Sequence, residues 1–212
     1  MPTEDDPTPD RAAIVHLLGY PGVGKYTVAQ ALVRQVPRDE RRFVLVDNHL
    51  TSNVIFSVLP VDGADPEPLD RAVWDRVDEV RSALHGAIRD LSPTGWSFVV
   101  TNVALEGDEA DRRSVANVRE LAHARRSHYV PVRLHCELDE HLRRVVRPDR
   151  AERMKWTDAG AVRSYSAGAP LIELPDSALL DLDITHLPAD DAAAAILVHV
   201  ETIRSGRGKS PR

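Results

Sequence analysis

Apolar and polar positions along this chain alternate between two kinds of segment. Short apolar runs typical of buried strands are separated by stretches in which apolar residues recur every three or four positions, as on one face of a helix. The strand-like runs are 14–18, 41–47, 96–102, 128–136 and 179–185. The alternation predicts an α/β fold, in which a single three-layer, doubly wound domain contains a parallel sheet of about five strands.

The two ends of the chain lack this periodicity. Residues 1–11 begin with a stretch rich in proline and acids and predict a disordered tail, because such a segment has little apolar surface to bury. Residues 205–212 are basic and rich in glycine and serine, and predict a flexible tail. The periodic middle, 12–204, is expected to form one domain, which is ordinary for a chain of 212 residues.

The first apolar run leads into Gly19-Tyr20-Pro21-Gly22-Val23-Gly24-Lys25-Tyr26-Thr27, and a helical pattern follows. A glycine, four residues and then Gly-Lys is the spacing of a P-loop, in which backbone amides and a helix N-terminus surround phosphate oxygens. The alternative is a glycine-rich turn that binds nothing, but such turns usually lack the strand before or the helix after. The residues assigned to nucleotide phosphate are Gly19, Gly22, Val23, Gly24, Lys25, Tyr26 and Thr27.

One position departs from the common P-loop pattern. The residue after the lysine is normally serine or threonine, whose hydroxyl contacts Mg²⁺, but here it is Tyr26, and the hydroxyl comes one place later at Thr27. A phenol is too large for that space. We therefore expect Thr27 to contact a phosphate and Mg²⁺ to be held through water, with Thr27 and the carboxylate of Asp47 as the nearest groups.

Polar residues follow the second and third strand-like runs. Asp47 ends the second run and is followed by Asn48 and His49, and Asn102 ends the third. Because ligands of open parallel sheets bind at the carboxyl ends of strands, these four residues are candidate substrate contacts. The alternatives are local: Asp47 as the N-cap of a helix over 52–59, His49 as a turn residue and Asn102 as a cap.

Two further segments are candidates for mobile parts of a site. The loop 60–68, rich in Pro, Asp and Gly, is a candidate flap over the substrate. A helical segment near 145 carries five arginines in an otherwise acidic chain; they are Arg143, Arg144, Arg147, Arg150 and Arg153. Guanidinium groups bind phosphate oxygens, although a solvated helix face paired with nearby acids is the alternative. The break at Arg147-Pro148 favours a lid over about 147–168.

Composition excludes several classes. The net charge of −6 argues against a general nucleic-acid binder, and the single Cys136, in an apolar run, excludes a disulfide framework or a cysteine zinc site. No signal-like or membrane-spanning apolar stretch is present, so a cytoplasmic location is expected.

Pro131 in the fourth run disfavours a fully paired central strand there, or marks a bulge.

With the P-loop, the strand-end Asp47, the arginine-rich segment and the terminal stretch from Leu182 in one order, the chain resembles the P-loop kinases of small molecules. These include nucleoside monophosphate kinases, shikimate kinase, gluconate kinase and chloramphenicol phosphotransferases. The resemblance covers most of 12–204, and the delayed threonine resembles the nucleoside monophosphate kinase loop. It implies that Asp47 holds the acceptor hydroxyl and that the segment from Asp183 lies near adenine. The lid arginines it implies are Arg143, Arg147, Arg150 and Arg153.

The expected activity is therefore ATP-dependent transfer of the γ-phosphoryl group to a hydroxyl of a small molecule, with Mg²⁺. Phosphoryl transfer depends mostly on positioning and charge neutralisation. Lys25, Asp47 and Arg147 are the expected catalytic residues: Lys25 neutralises developing charge, Asp47 orients the hydroxyl or helps hold hydrated Mg²⁺, and Arg147 closes over the phosphates. The expected partner is the small-molecule acceptor, with no nucleic acid or membrane, and the protein is expected to be a monomer or homodimer.

Other functions stay open. A nucleoside monophosphate acceptor would need arginines that hold a second phosphate, and those between Asp47 and Leu91, at 71, 76, 81 and 89, fall mostly on the charged side of a predicted helix. That favours a less charged acceptor. From another class, a nucleotide-binding regulatory protein or an NTP hydrolase without an acceptor is possible, although guanine-reading Asn-Lys-x-Asp and transporter Ser-Gly-Gly motifs are absent.

Overall fold

The computed structural model of the chain describes residues 12–37, 42–60, 69–147 and 157–206. The strands in that part of the chain are β1 Ala13–Leu18, β2 Phe43–Val46, β3 Ser97–Asn102, β4 His128–His135 and β5 Leu180–Asp183. The helices there are α1 Lys25–Gln35, α2 His49–Phe56, α3 Arg71–Leu91, α4 Glu109–Ala124, α5 Leu138–Val145, α6 Ala159–Gly168 and α7 Ala189–Arg204.

Some predictions fall outside the described residues. They concern the tail 1–11, most of the candidate flap (61–68), the lid residues Arg150 and Arg153, and the last six residues of the basic tail. These stay predictions. None of the helices in the described ranges is long and apolar enough to cross a membrane.

The sheet has five strands in the order β2-β3-β1-β4-β5, and every pairing is parallel. β1 lies at the centre and is buried along its whole length, as its nearly continuous apolar sequence indicates for a strand covered on both faces. This confirms the predicted doubly wound α/β fold.

Alternate residues of β1 serve two cores. Val15 and Leu17 pack with α1 and α7 on one face of the sheet, where α1 and α7 also contact each other. Ile14 packs on the other face with Ile88 of α3 and Val118 of α4. Successive side chains of the strand thus point to opposite faces of the sheet, and each face is covered by helices. The sheet and its two helical layers are the three layers predicted from the sequence.

The connections bring the candidate site to one edge of the sheet. From β1 the chain runs to the outer strand β2, returns to β3 beside β1, and then crosses to β4 on the far side of β1. The carboxyl ends of β1 and β3 therefore adjoin where the strand order reverses, with Leu18 in register with Asn102. Crevices at such points are the usual ligand sites of open α/β sheets.

The structure confirms the expectation that Pro131 does not occupy a fully paired position, although β4 itself is an inner strand. β4 lies between β1 and β5, and Pro131 is in register with His16 of β1, within an unbroken strand. The pairing of β4 with β5 begins only at Val132, so that at Pro131 the strand has one neighbour instead of two. A residue without a backbone N–H is tolerated at such a position.

The predicted bounds of α2 are wrong. The helix covers His49–Phe56 rather than 52–59, and Asn48, not Asp47, precedes its first residue. The hydroxyls of Thr51 and Ser52 donate to the carbonyl of Asn48 at 3.0 and 3.4 Å, which supports an early start. Asp47 is therefore left in the turn between β2 and α2.

Candidate functional site

The P-loop joins β1 to α1, in the strand–loop–helix context that the sequence predicts. Gly19 lies against β4 so closely that a Cβ there would be 2.7 Å from the carbonyl oxygen of Leu134. Gly22 has φ of 91°, a left-handed conformation that strains any residue with a side chain. Glycine is thus required at both positions, once by a close approach and once by the backbone angle.

Lys25, the first residue of α1, folds back over the loop. Its Nζ donates to the carbonyls of Gly19 at 2.6 Å and Tyr20 at 2.9 Å. The ammonium therefore lies beside the loop, at the N-terminus of a helix whose partial positive charge also favours an anion. Both features suit a polyphosphate.

Two residues of α5 contact the other carbonyls of the loop. The Nη1 of Arg144 donates to the carbonyl of Val23 at 2.8 Å, and the Nε2 of His141 is 2.7 Å from the carbonyl of Pro21. His141 is buried and Arg144 is 21% exposed. The sequence analysis named Arg144 only as one of five candidate phosphate-binding arginines, and it assigned no role to His141.

Arg143 and Arg144 are neighbours in sequence but face different ways. Arg143, predicted to bind nucleotide, is 72% exposed and pairs with Glu140 at 2.9 Å. Arg144 turns inward, where its Nη2 donates to the carbonyls of Ile184 at 2.7 Å and Thr185 at 3.2 Å. The spacing of His141, Arg144 and the buried Val145 is the sequence signal that would have found the inward face.

The segment after β5 is fixed beside α5. The Oδ1 of Asp183 accepts from both the amide and the hydroxyl of Thr185, at 2.8 and 2.6 Å, and this bonding lowers the pKa of Asp183 below its usual range. The Thr185 hydroxyl also accepts from the amide of Glu137 at 2.9 Å. Asp183 is thus placed at the carboxyl edge of the sheet, and its contact with adenine stays a prediction.

Asp47 lies at the end of β2, buried and bonded to the neighbouring strand. The hydroxyl of Thr101 in β3 donates to the Oδ1 of Asp47 at 2.6 Å, and the same hydroxyl accepts from the amide of Asn48 at 3.1 Å. Thr101 therefore fixes the carboxylate and the start of the next turn together. The sequence analysis named Asn102 as a candidate at the end of this strand and assigned no role to its neighbour Thr101.

Arg81 of α3 is the exception among the four arginines that were predicted to lie mostly on the charged side of this helix. Its side chain is only 17% exposed, so it does not lie on the charged outer side of the helix. Its Nη2 donates to the Oδ1 of Asn48 at 3.1 Å, and its Nη1 pairs with Asp78. Burial lowers the pKa of Arg81 from its ordinary value. A guanidinium thus stands beside the polar turn that carries Asp47.

Asn102 belongs to a chain of buried hydrogen bonds. Its Nδ2 donates to the Oγ of Ser114 at 3.1 Å, which leaves its Oδ1, 3.1 Å from the Nε2 of His16, as an acceptor. Burial lowers the pKa of His16 to about 4, so the ring is neutral at pH 7 and protonated on Nε2. Its Nδ1 then accepts from the hydroxyl of Tyr129 at 3.0 Å. This order of donors fixes the orientation of the Asn102 amide.

A small cavity separates α3 from the ends of β2 and β3. Its volume is about 10 Å³, roughly the space for one water molecule. The pKa of His85 beside it is lowered to about 4 by burial and by the nearby Arg81. The polar residues that line it are Asp47, Asn48, Thr51, Arg81, His85, Thr101 and Asn102.

The groups available for Mg²⁺ are few. The hydroxyl of Tyr26 accepts from the Nε2 of Gln30 at 3.0 Å, so the phenol lies along α1, and Thr27 is exposed next to it. In the part of the chain that the structure describes, no three His, Cys, Asp or Glu residues form a metal-binding group. One carboxylate, Asp47, fits Mg²⁺, which keeps several waters and takes its other ligands from phosphates.

The remaining predicted site residues are placed less informatively. His49 begins α2, and its Nδ1 is 3.2 Å from the Oδ1 of Asn53. Arg147 lies exposed just beyond α5, with its amide 3.4 Å from the carbonyl of Arg144. Their roles in binding or catalysis stay predictions.

Neither the models of known protein families nor the curated proteins match this sequence. Solved structures do match. A proposed kinase from Chloroflexus aurantiacus has a TM-score of 0.62 and 17% identity, over 89% of this chain and 98% of its own. The APS kinase of Mycobacterium tuberculosis has a TM-score of 0.59 and 17% identity, over 90% of this chain and 98% of its own. A gluconokinase from Sinorhizobium meliloti has a TM-score of 0.57 and 14% identity, over 93% of this chain and 96% of its own. At such identities the likeness shows the fold, and the chain has the fold of P-loop kinases.

Proposed function

We propose that this protein is an ATP-dependent phosphotransferase that moves the γ-phosphoryl group to a hydroxyl of a small molecule. The observation that carries the proposal is the buried Asp47, held by Thr101, at the same edge of the sheet as the P-loop. A phosphate cradle alone supports only nucleotide binding. A fixed carboxylate at the same edge supports an acceptor for the transferred group. The gluconokinase and APS kinase with this fold are kinases by name, which agrees with the proposal.

In the proposed reaction the P-loop and Lys25 bind the phosphates of ATP. The amides of the loop bind phosphate oxygens, and the Nζ of Lys25 exchanges its carbonyl contacts for the outer phosphates, where it neutralises charge on the transferring group. Asp47 accepts a hydrogen bond from the acceptor hydroxyl and takes its proton as the new P–O bond forms. The leaving oxygen remains on ADP.

The group that holds Mg²⁺ on the protein side would be Asp47, through water, with Thr27 near the phosphates. When bound with the nucleotide, Mg²⁺ supplies charge neutralisation between the phosphates.

Arg143 and Arg147 lie near the start of the proposed lid. They would close over the phosphates and so exclude water as a competing acceptor. Asn48, His49 and Asn102 would contact the acceptor.

Arg81 favours a second candidate within the same class. A nucleoside monophosphate acceptor needs a cation for its phosphate, and Arg81 is a partly buried guanidinium beside Asn48 and the cavity next to Asp47. A nucleotide-binding regulatory protein or a hydrolase without an acceptor is the alternative of another class. The protein is proposed to act without nucleic acid or membrane, as a monomer or homodimer.

The test measures ATP consumption with and without a panel of hydroxyl compounds that includes sugars, sugar acids and nucleoside monophosphates. We expect turnover to depend on one group of acceptors. Lys25→Ala should reduce it by at least about 100-fold, because charge on the transferring group is no longer neutralised. Arg34→Ala is the control, since it removes an exposed cation from the same helix. ATP hydrolysis of equal rate across the whole panel would contradict the proposal.

A further inference from the structure

Four carbonyl oxygens of the P-loop contact side chains, and those side chains come from two different parts of the chain. The Nζ of Lys25 donates to the carbonyls of Gly19 and Tyr20. From α5, His141 contacts the carbonyl of Pro21 and Arg144 donates to that of Val23. Lys25 belongs to the proposed phosphate site. The two contacts from α5 have no part in it, yet they reach the loop across more than a hundred residues of sequence.

Planarity of the peptide bond gives these two contacts a consequence. In a trans peptide the C=O and the following N–H point in opposite directions. The carbonyl of Pro21 shares its peptide with the amide of Gly22, and the carbonyl of Val23 shares its peptide with the amide of Gly24. A donor that holds either carbonyl therefore directs the next amide to the opposite side.

Glycine makes such control necessary. Gly22 and Gly24 have φ of 91° and 126°, and a glycine can leave these conformations at little steric cost. Without side chains, the two peptides have only their hydrogen bonds to fix their orientation. The same two amides belong to the part of the loop that is assigned to phosphate.

Arg144 is well placed to hold its peptide rigidly. Besides the carbonyl of Val23, its guanidinium donates to the carbonyls of Ile184 and Thr185 and, through Nε at 2.7 Å, to Glu140. A planar fork with several fixed donors cannot turn without breaking several bonds. It therefore ties the loop to the segment after β5.

His141 holds the other peptide. Because a carbonyl can only accept, its Nε2 must carry the proton in the contact with Pro21. The ring is buried and lies 6.2 Å from the ring of Tyr20, centroid to centroid, so that the loop and α5 also pack against each other.

We propose that His141 and Arg144 are positioning residues that direct the amides of Gly22 and Gly24 toward the polyphosphate chain of the nucleotide. The inference rests on the proposed nucleotide site but not on the identity of the acceptor. The amides bind phosphate, and α5 sets their direction from behind. The ligand that should sense the loss of either residue is the phosphate chain itself, not the base.

The experiment measures dissociation constants of ATP and of inorganic tripolyphosphate in the presence of EDTA, at a temperature at which each variant is folded by circular dichroism. We expect Arg144→Gln to weaken both ligands by about tenfold or more, and Arg144→Lys to weaken both less. His141→Ala should weaken both, and His141→Gln, which keeps an N–H donor, should restore part of the affinity. Arg76→Gln, on the exposed side of α3, is the control.

A direct readout separates positioning from a loss of stability. In ¹⁵N-labelled wild-type protein, tripolyphosphate should shift the amide proton resonances of Gly22 and Gly24, and in Arg144→Lys the shift at Gly24 should shrink. Unchanged affinities and unchanged shifts in folded Arg144→Lys and His141→Ala would overturn the inference. Weaker ATP with unchanged tripolyphosphate would also overturn it, because the effect would then act through the base. A wild-type protein that binds neither ligand would overturn the proposed function itself.

Discussion

The two sides of the candidate site are held in different ways. The donor side is the part proposed to bind the phosphoryl donor, and it comprises the P-loop, His141, Arg144 and residues 183–185. There, long side chains mostly bond to backbone carbonyls. The acceptor side is the part proposed to bind the phosphoryl acceptor, and it comprises Asp47, Asn48, Arg81, His85 and the end of β3. There, side chains bond mainly to one another.

The difference separates a general task from a specific one. Backbone atoms are the same in every protein, so a donor side built on them needs only glycines and a few cations to bind a phosphate chain. Side chains can be exchanged one at a time, so an acceptor side built on them can be adapted to a new substrate. Substitutions on the two sides should therefore separate nucleotide binding from phosphoryl transfer.

The largest expected effect on the acceptor side comes from Asp47→Asn. The amide keeps an oxygen that accepts from Thr101, so the local structure is retained, but the charge and the proton acceptor are lost. We expect transfer to fall by about 100- to 10,000-fold, the usual contribution of a positioned base. ATP affinity should stay within about threefold, since this interaction belongs to the transition state.

Steady-state kinetics and ATP titration on the same preparations check this prediction. Asp190→Asn is a suitable control, because Asp190 is an exposed carboxylate at the start of α7. Full activity of Asp47→Asn would mean that the carboxylate has no catalytic role. Loss of ATP binding would place Asp47 on the donor side and remove the distinction.

Acid should destabilise the acceptor side. Burial lowers the pKa of His16 and His85 from 6.5 to about 4, so between these values the unfolded chain binds more protons than the native protein. The free energy of unfolding therefore falls as the pH falls through this window. Asp111 acts in the opposite direction, since burial raises its pKa to about 6. The two histidines outweigh the one carboxyl, and the free energy of unfolding is expected to fall by on the order of 3 kcal/mol between pH 7 and 4.5.

Urea denaturation at a series of pH values measures this loss. His85→Gln should flatten the profile by removing one of the two histidines, and it spares the buried network of His16. A profile that stays flat from pH 7 to 4.5 in the wild-type protein would show that the histidines are not held neutral by burial.

The smallest of the three effects is expected from Thr101→Val. Valine has nearly the shape of threonine, but without the hydroxyl Asp47 loses a donor and the amide of Asn48 loses an acceptor. We expect a loss of about 1–2 kcal/mol in the free energy of unfolding, which is typical of a buried unpaired group. Transfer should fall by roughly tenfold as the carboxylate becomes less well oriented, with ATP affinity unchanged.

Ser97→Ala, at the other end of the same strand, is the matched control. Its hydroxyl accepts from the amide of Ala13 and from Arg204, so its removal also costs stability, but far from Asp47. Equal losses of transfer in the two variants would attribute the effect of Thr101 to stability alone.

The sequence predicted the fold and the structural context of the P-loop well. Each strand-like run of the described chain is a strand, since apolar runs between helical patterns leave few alternatives, and the loop between β1 and α1 has the predicted context. Where helices begin was predicted less well. α2 starts three residues early because the hydroxyls of Thr51 and Ser52 bond to Asn48, which is an effect of individual side chains.

Long-range contacts were beyond the sequence. Arg143 and Arg144 differ by one position, or about 100° around a helix, and only the placement of α5 against the P-loop decides which one turns inward. The inward position of Arg81 was not predicted, because its partner Asn48 lies on another element. The partners of His16 come from β3 and β4, and no local pattern relates them.

The central position of β1 also shapes how the chain folds. This strand is made first, yet both of its neighbours are made much later, since β3 begins at Ser97 and β4 at His128. Pairings so distant in sequence slow folding, and until they form, an apolar strand stays open to association with other chains. His16 is the one polar side chain in that strand. A group that bonds within the finished sheet thus also interrupts the apolar run while the strand is unpaired, which limits aggregation of the nascent chain.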